Sequence, residues 1–263
     1  MTVPPDRERK LGLTRLIRCV VVLVVAGAVP AAGVAQSTQE EATTGFRALQ
    51  LGYLALDAGD FESALDHYAR ARELAEGDAQ RFNALLGYGS AALELDRLDD
   101  ARQALEQAHR LAPEEASSTM LLGVVCRRQG DLDLAVTLLA EAAAADPGMP
   151  QALIELGIAY GALGKHAAQE RVCRDALALE PDSLDARLGL AVALYHQDEF
   201  DAAATEFRTV IEQDPENLRA HYGLGLALLY SGDREGAIGE IVFLNPRSPE
   251  LAADLQRWVY PED

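Results

Sequence analysis

Histidine and cysteine are the side chains of this sequence that most often bind metals or take part in catalysis. The five histidines occupy five different positions of the repeating pattern described below, so we do not expect them to converge on one site. They are His67, His109, His166, His196 and His221. The sequence has no H-E-x-x-H motif, no G-x-S-x-G motif and no phosphate-binding glycine loop. It therefore predicts no catalytic centre, no metal site, no cofactor and no small-molecule substrate.

The three cysteines, Cys19, Cys126 and Cys173, are too few and too widely spaced for a disulfide framework or a zinc site. We expect Cys126 and Cys173 to be buried as small apolar side chains. A disulfide is the alternative for these two residues, because an exported protein enters an oxidising compartment.

The charge balance disfavours two classes of partner. The chain has 42 acidic and 23 basic residues among 263, giving a formal net charge of −19. A protein that binds nucleic acid or anionic lipid needs a basic surface. The acidic residues are predicted to lie on solvated helix faces rather than to form acid–base pairs. Hydrophobic residues make up 49% of the chain, which excludes disorder and allows a substantial core.

The first 35 residues have the organisation of a secretory signal peptide. Residues 1–18 carry a net positive charge, residues 19–29 form the apolar run CVVVLVVAGAV, and Gly33 and Ala35 are the small residues that precede a cleavage site. We therefore predict cleavage after Ala35 and an exported, periplasmic protein. The alternative is an uncleaved segment that anchors the protein in the inner membrane, although the strongly apolar run is shorter than the roughly 20 residues of a typical span.

Prolines and glycines recur with a period of 34 residues. The prolines at this spacing are Pro113, Pro147, Pro181, Pro215 and Pro249, and the glycines in register with them are Gly89, Gly123, Gly157 and Gly225. A small residue also recurs twelve positions after the glycine position, as Ala101, Ala135, Ala203 and Ala237. Only Gln169 interrupts the alanine series. A fixed period of this length is typical of arrays in which each repeat is one supersecondary unit.

The period and its residues resemble the tetratricopeptide repeat, a pair of helices of 34 residues. The resemblance implies an all-α, right-handed αα-solenoid superhelix of about six helix-turn-helix repeats, in which small residues permit close helix packing and proline ends each second helix. The implied repeats are 45–78, 82–115, 116–149, 150–183, 184–217 and 218–251. Residues 79–81 are an insertion in this frame. Ser183 and Asn217 are expected to cap the first helices that follow them.

The two ends of the array depart from the repeat pattern. Residues 36–44 are polar and are expected to be a disordered lead-in. Residues 250–260 are expected to form a C-terminal capping helix, with Trp258 as its main anchor. Pro246 is expected to end the preceding helix at about Asn245.

The resemblance also implies a concave groove lined by the first helix of each repeat. The Lys and Asn residues with which chaperone-binding members clamp a carboxylate are absent, and the expected peptide-binding positions are mostly apolar. They are Met120, Val124, Arg127, Arg128, Ile154, Ile158, Leu188, Val192, Tyr195, Tyr222, Leu226 and Tyr230. Arg127 and Arg128 form the basic pair of this groove and would attract an acidic group. Alternatively, the aliphatic residues simply pack adjacent first helices together.

These expectations lead to a noncatalytic protein–protein interaction scaffold of the cell envelope. Its expected partner is a protein or peptide segment that lies in the apolar groove. The alternative function is a structural subunit of an envelope assembly or secretion complex, which contacts its partners through the convex face or the ends of the array.

Overall fold

The computed structural model describes residues 36–260 and contains thirteen α-helices and no strand within that range. The chain divides into two compact units, residues 1–146 (unit 1) and 147–263 (unit 2). The leader predicted for residues 1–35 lies outside the described residues. Between residues 36 and 260, no helix is both long and apolar enough to cross a membrane.

Unit 1 contains three helix pairs joined by short turns. The helices are α1 (Gln36–Ala58), α2 (Phe61–Glu73), α3 (Asp78–Glu94), α4 (Leu98–Leu111), α5 (Ala116–Gln129) and α6 (Leu132–Ala145). Each helix packs on the next one along the chain, and the first helices also pack on each other, α1 on α3 and α3 on α5. A pair buries its apolar faces against its neighbours, as expected of a repeat array.

Unit 2 repeats this arrangement and ends on a single helix. Its helices are α7 (Pro150–Ala162), α8 (His166–Leu179), α9 (Leu184–Tyr195), α10 (Phe200–Gln213), α11 (Leu218–Ser231), α12 (Arg234–Leu244) and α13 (Pro249–Val259). The first helices α7, α9, α11 and α13 again pack in succession. The aromatic centre of the core is Phe207, which is surrounded by leucine, valine and alanine side chains of α9, α10 and α11.

Side-chain caps begin several of the helices, and two of them were predicted. Ser183 Oγ accepts a hydrogen bond from the backbone N–H of Ala186 at 3.4 Å, and Asn217 Oδ1 accepts one from Ala220 at 3.0 Å. Both predicted caps are therefore confirmed. Each cap pairs one of the backbone N–H groups that a helix start leaves without an intrahelical partner.

The turn between the two helices of a pair requires a left-handed residue. Gly130 and Gly232 end their helices with φ of 87° and 97°, a region open to glycine at little cost. Two equivalent turns use aspartate instead, Asp96 with φ of 58° and Asp198 with φ of 62°. Aspartate tolerates this conformation better than most residues, because its short side chain can form local hydrogen bonds.

The recurring small residues lie where two helices of a repeat approach most closely. A Cβ atom added at Gly89 would stand 2.6 Å from Cγ of Leu105, and one added at Gly123 would stand 2.7 Å from Cγ of Leu139. Ala101 and Ala135 on the facing helices are completely buried. The period-34 pattern of small residues therefore reflects helix packing.

Gln169, the interruption of the alanine series, is accommodated by a glycine on the facing helix. Its side chain is buried, and a Cβ at Gly161 would lie 2.9 Å from its amide atoms. Nε2 of Gln169 donates a hydrogen bond to the carbonyl oxygen of Gly189 at 3.2 Å. The larger residue is thus tolerated because space and a hydrogen-bond acceptor are both present.

Two boundaries differ from the sequence prediction. Residues 36–44, expected to be a disordered lead-in, belong to α1, which begins at Gln36. Residues 79–81, treated as an insertion, form the first turn of α3, which begins at Asp78 with Gly77 as its N-cap. The first helices of both repeats are therefore longer at their N-terminal ends than the period of 34 alone indicates.

The C-terminal helix was predicted within one residue, but its anchor was not. Helix α13 covers Pro249–Val259, and α12 ends at Leu244, next to the expected position of Asn245. Trp258 is 55% exposed, so its assignment as the main anchor is wrong. Leu255 and Val259 are buried instead, because they lie on the face of α13 that packs against the rest of unit 2.

Candidate protein-interaction surface

The two apolar groove residues predicted in unit 1 are not available to a ligand. Met120 and Val124 on α5 are completely buried. Helix α5 packs against α3, α4 and α6. The large hydrophobic side chains that unit 1 does expose among its described residues are Phe46, Leu51 and Leu54 on α1, none of which is a predicted groove position.

Arg128 of the predicted basic pair serves a structural purpose. Its Nη1 atom donates a hydrogen bond to the carbonyl oxygen of Leu93 at 2.7 Å and lies 3.8 Å from a carboxylate oxygen of Asp96. A guanidinium at this place satisfies a carbonyl at the C-terminal end of α3 and complements the helix dipole. Arg127 is half-buried and also has an intramolecular partner. The expectation that this pair attracts an acidic ligand group has no support in this geometry.

Part of the predicted set in unit 2 is buried by helix packing. Leu188, Tyr222 and Leu226 are less than 9% exposed. The hydroxyl of Tyr222 donates a hydrogen bond to Oδ2 of Asp254 on α13 at 2.5 Å. Burial, followed by the interaction with Asp254, raises the pKa of Tyr222. Tyr222 and Leu226 therefore hold the last helix in place rather than face a ligand.

The remaining predicted residues of unit 2 are partly or well exposed. Ile158 on α7 is 37% exposed and Tyr230 on α11 is 46% exposed, while Ile154, Val192 and Tyr195 are half-buried. These five residues are the part of the predicted groove that a ligand can reach without moving a helix. All five belong to first helices, as the repeat pattern implies.

Tyr195 and Tyr230 belong to a group of rings that we call the aromatic surface: Tyr195, His196, Phe200 and Tyr230. Phe200 and Tyr230 are stacked with ring centroids 5.4 Å apart. Tyr195 meets both edge-on, at 5.7 Å from Phe200 and 5.9 Å from Tyr230. Aromatic pairs prefer these offset and edge-to-face arrangements, so the rings form a preorganised contact surface.

A pair of stacked histidines extends the aromatic surface. The rings of His166 and His196 are 4.3 Å apart and nearly parallel, and His196 also meets the ring of Tyr195 edge-on at 5.3 Å. Two of the five histidines therefore lie together, which their different repeat positions did not predict. His166 begins α8 and His196 follows α9, so the turns of two successive repeats bring them together despite their different repeat positions.

Sequence reasoning missed His196 and Phe200 because both lie at the turn between α9 and α10 rather than along a first helix. The signal available in the sequence was their proximity to Tyr195 in the segment Tyr195–Phe200. That proximity indicates a ring cluster only once the conformation of the turn is known, because the turn brings the rings of Tyr195 and Phe200 against Tyr230.

No metal-binding group is formed by the residues that the structure describes, since no three His, Cys, Asp or Glu side chains come close enough between residues 36 and 260. Cys126 and Cys173 are buried, as predicted, and no disulfide joins them. Burial raises the pKa of the Cys173 thiol to about 12, which keeps it protonated and unreactive.

Matches to family models show the protein family to which the chain is related. A tetratricopeptide repeat model matches residues 49–114 and 89–150, a second one matches residues 162–212, and a TPR repeat model matches residues 193–232. The chain belongs to the tetratricopeptide-repeat (TPR) family. The predicted all-α fold of stacked helix pairs is thereby confirmed, and this fold serves protein–protein interaction in the family. No curated protein sequence matches the chain significantly.

Solved TPR structures show the same fold at low sequence identity. The tetratricopeptide repeat protein from Parabacteroides merdae ATCC 43184 is 17% identical, with a TM-score of 0.67 over 82% of this chain and 86% of that one. The pilF protein of Pseudomonas aeruginosa is 18% identical, with a TM-score of 0.71 over 82% of this chain and 98% of that one. A chain of the APC/C hetero-tetramer Cut9–Hcn1 is 18% identical, with a TM-score of 0.75 over 98% of this chain and 49% of that one.

Proposed function

We propose that this TPR protein is an exported, noncatalytic scaffold of the cell envelope that binds a peptide segment of a partner protein. The binding surface is the exposed part of the first helices of unit 2 together with the aromatic surface. The observation that carries the proposal is the exposure of Tyr230, 46%, within a cluster of rings that already hold one another in place. Exposed tyrosine with fixed geometry is typical of interaction surfaces.

The absence of a carboxylate clamp and the structural use of Arg128 favour recognition through apolar and aromatic contacts. Ile158, Val192 and Tyr230 lie on three successive first helices, α7, α9 and α11. A peptide that crosses these helices contacts one side chain from each repeat. This arrangement gives affinity in small increments and specificity through the spacing of the anchors.

Export to the periplasm rests on the organisation of residues 1–35 and is part of the same proposal. The alternative, an uncleaved anchor in the inner membrane, places the same repeats on the same side of that membrane. Both versions have the scaffold act on envelope proteins.

A second candidate function has an observation of its own. The last two helices and the residue that follows them expose three large hydrophobic side chains, Val242 at 69%, Trp258 at 55% and Tyr260 at 48%. Exposed apolar residues on the last helices of a repeat array favour contact with a further subunit through that end. The protein would then be a structural subunit of an envelope assembly or secretion complex.

Site-specific photocrosslinking in living cells separates the two functions. A photoreactive phenylalanine at position 230 tests the peptide-binding surface, and one at position 258 tests the C-terminal end. Leu179, which is 46% exposed at the end of the second helix α8, provides a control position of equal exposure. We expect a discrete adduct from position 230 and none from position 179. A discrete adduct from position 258 alone would support the structural subunit instead.

A further inference from the structure

The surroundings of the aromatic surface are acidic. Over residues 147–260 acidic residues outnumber basic ones two to one. Asp198 and Glu199 are exposed in the turn that joins Tyr195 to Phe200, and the charge of Asp198 acts on the hydroxyl of Tyr195. A ligand that approaches this surface therefore meets negative charge at its edge.

The basic residues next to the aromatic surface do not cancel this charge. Arg234, four residues after Tyr230, turns away from it, because its guanidinium donates to the carbonyl oxygen of Val259 and lies over the ring of Tyr260. Lys165 is exposed next to His166, and its single positive charge is smaller than the combined negative charge of Asp198 and Glu199.

The rings of Tyr195 and His196 are uncharged at neutral pH. Burial raises the pKa of Tyr195 to about 12, and the neighbouring Tyr230 and Asp198 add to the effect, so its hydroxyl stays protonated. Burial, followed by the facing His166, lowers the pKa of His196 from its ordinary value of 6.5, so this imidazole is neutral at pH 7. Neutral aromatic faces present the negative part of their quadrupole to a ligand.

We propose that the aromatic surface binds an arginine side chain of a basic, extended peptide segment; this inference rests on the proposed peptide-binding function. A guanidinium is attracted to the face of a tyrosine or phenylalanine within about 6 Å of the ring centroid. Its planar shape stacks on a ring while its N–H groups reach a carboxylate at the edge. Tyr230 supplies an exposed ring, and Asp198 and Glu199 supply the carboxylates.

The chain itself uses this pairing at other places. The guanidinium carbon of Arg247 lies 3.9 Å from the ring centroid of Phe243, and that of Arg234 lies 5.1 Å from the centroid of Tyr260. In both cases the arginine of the pair also binds an oxygen, a carboxylate of Glu216 for Arg247 and a backbone carbonyl for Arg234. A ligand arginine on Tyr230 would reproduce the arrangement of Arg247, with Asp198 or Glu199 in place of Glu216.

Three synthetic peptides and the full chain test the proposal. The peptides share one flexible glycine–serine sequence and carry, at the same places, arginine, its uncharged isostere citrulline, or glutamate. Fluorescence anisotropy at low and high salt gives their affinities. We expect the arginine peptide to bind at least about tenfold more tightly than the citrulline peptide, because charge adds to stacking. The glutamate peptide should bind most weakly of the three.

Matched variants locate the binding. Tyr230→Ala should weaken the arginine peptide about two- to fivefold, which is the effect of one exposed cation–π contact. Asp198→Asn should weaken it and reduce the salt dependence of its affinity. Trp258→Ala removes a similarly exposed aromatic ring from α13 and should change nothing. Circular dichroism of each variant establishes that the helices are intact.

The outcomes distinguish this inference from the proposed function. Equal binding of the arginine and citrulline peptides, both weakened by Tyr230→Ala, would overturn the cation preference and leave peptide binding in place. No loss from Tyr230→Ala would show general charge attraction, and equal losses from Tyr230→Ala and Trp258→Ala would show contact with any exposed ring; either result would overturn the site. Arginine-dependent binding at Tyr230 without any photocrosslinked partner from position 230 would support the inference and contradict the envelope scaffold.

Discussion

At the scale of single residues, several side chains have an environment that the repeat pattern does not reveal. Tyr68 is an example from unit 1. Its side chain is 1% exposed, and its hydroxyl oxygen has no hydrogen-bond partner. A buried polar group without a partner costs free energy, because it loses its hydrogen bonds to water and gains none in return.

We predict that Tyr68→Phe leaves the protein as stable as before or more stable by up to about 1 kcal/mol, because the substitution removes only the unpaired hydroxyl. Tyr222→Phe is the matched comparison. It removes a hydroxyl that donates to Asp254, so it should lower the free energy of unfolding by about 1 kcal/mol. Urea denaturation of both variants gives the two changes. A loss of stability in Tyr68→Phe similar to that in Tyr222→Phe would contradict the unpaired state of Tyr68.

The stacked histidines predict a pH dependence of stability. Burial and His166 lower the pKa of His196, so the folded protein takes up a proton there less readily than the unfolded chain does. The contribution of a neutral His196 is fully present above the unfolded value of 6.5 and is lost as the pH falls below it towards the folded value. His196→Gln should therefore reduce the acid-induced loss of stability measured by urea denaturation on either side of pH 6.5. His67→Gln, which lies in unit 1, should retain that loss.

At the scale of secondary-structure elements, the last helix shows how one face of an element carries its stability. Leu255 is completely buried, and a Cβ atom added at Gly225 on α11 would lie 2.3 Å from its Cδ2 atom. Trp258, on the same helix, is 55% exposed. The small residue at position 225 and the leucine at position 255 therefore fit each other, while the large aromatic residue contributes little to the packing.

We predict that Leu255→Ala lowers the free energy of unfolding by about 2–4 kcal/mol, since it leaves a cavity beneath α13. Trp258→Ala should lower it by less than about 1 kcal/mol. Hydrogen exchange should report the Leu255→Ala loss mainly in α11, α12 and α13, because contacts in a repeat array run between neighbours. If Trp258→Ala lowered the free energy of unfolding more than Leu255→Ala does, the tryptophan would be the anchor of this helix after all.

The elements also show which part of the architecture could be predicted. The 34-residue period of prolines, glycines and alanines could be interpreted from sequence because it reflects the close contact between the two helices of a pair. That contact is local and recurs along the chain. The N-caps Ser183 and Asn217 were predictable for the same reason. The start of α1 at Gln36 was not, because polar residues such as those of 36–44 form helix or disorder depending on context.

The binding surface was less predictable than the fold. Tyr222 and Tyr230 lie on the same helix α11, yet the first is buried under α13 and the second is exposed. The difference depends on where the last helix packs, and the spacing of residues within α11 does not predict that position. Likewise Phe200 joins the aromatic surface from the start of a second helix, so a search confined to first-helix positions omits it.

At the scale of the whole molecule, the processing of the N-terminus decides where the repeats act. We predict that the mature protein begins at Gln36 and appears in the periplasmic fraction, since Gly33 and Ala35 have the small side chains that signal peptidase accepts. N-terminal sequencing of the protein released from the envelope checks this. Sequencing that finds residues 1–18 on membrane-bound protein would establish the anchored form instead.

At position 198, which has a left-handed conformation, the residue best for stability differs from the residue best for ligand binding. A glycine would adopt its φ of 62° with less conformational energy, as Gly130 and Gly232 do at the equivalent turns. Selection for stability alone would therefore favour glycine, but glycine would remove a carboxylate from the edge of the aromatic surface. The substitution Asp198→Gly should therefore raise the thermal stability of the protein and lower its affinity for basic peptides.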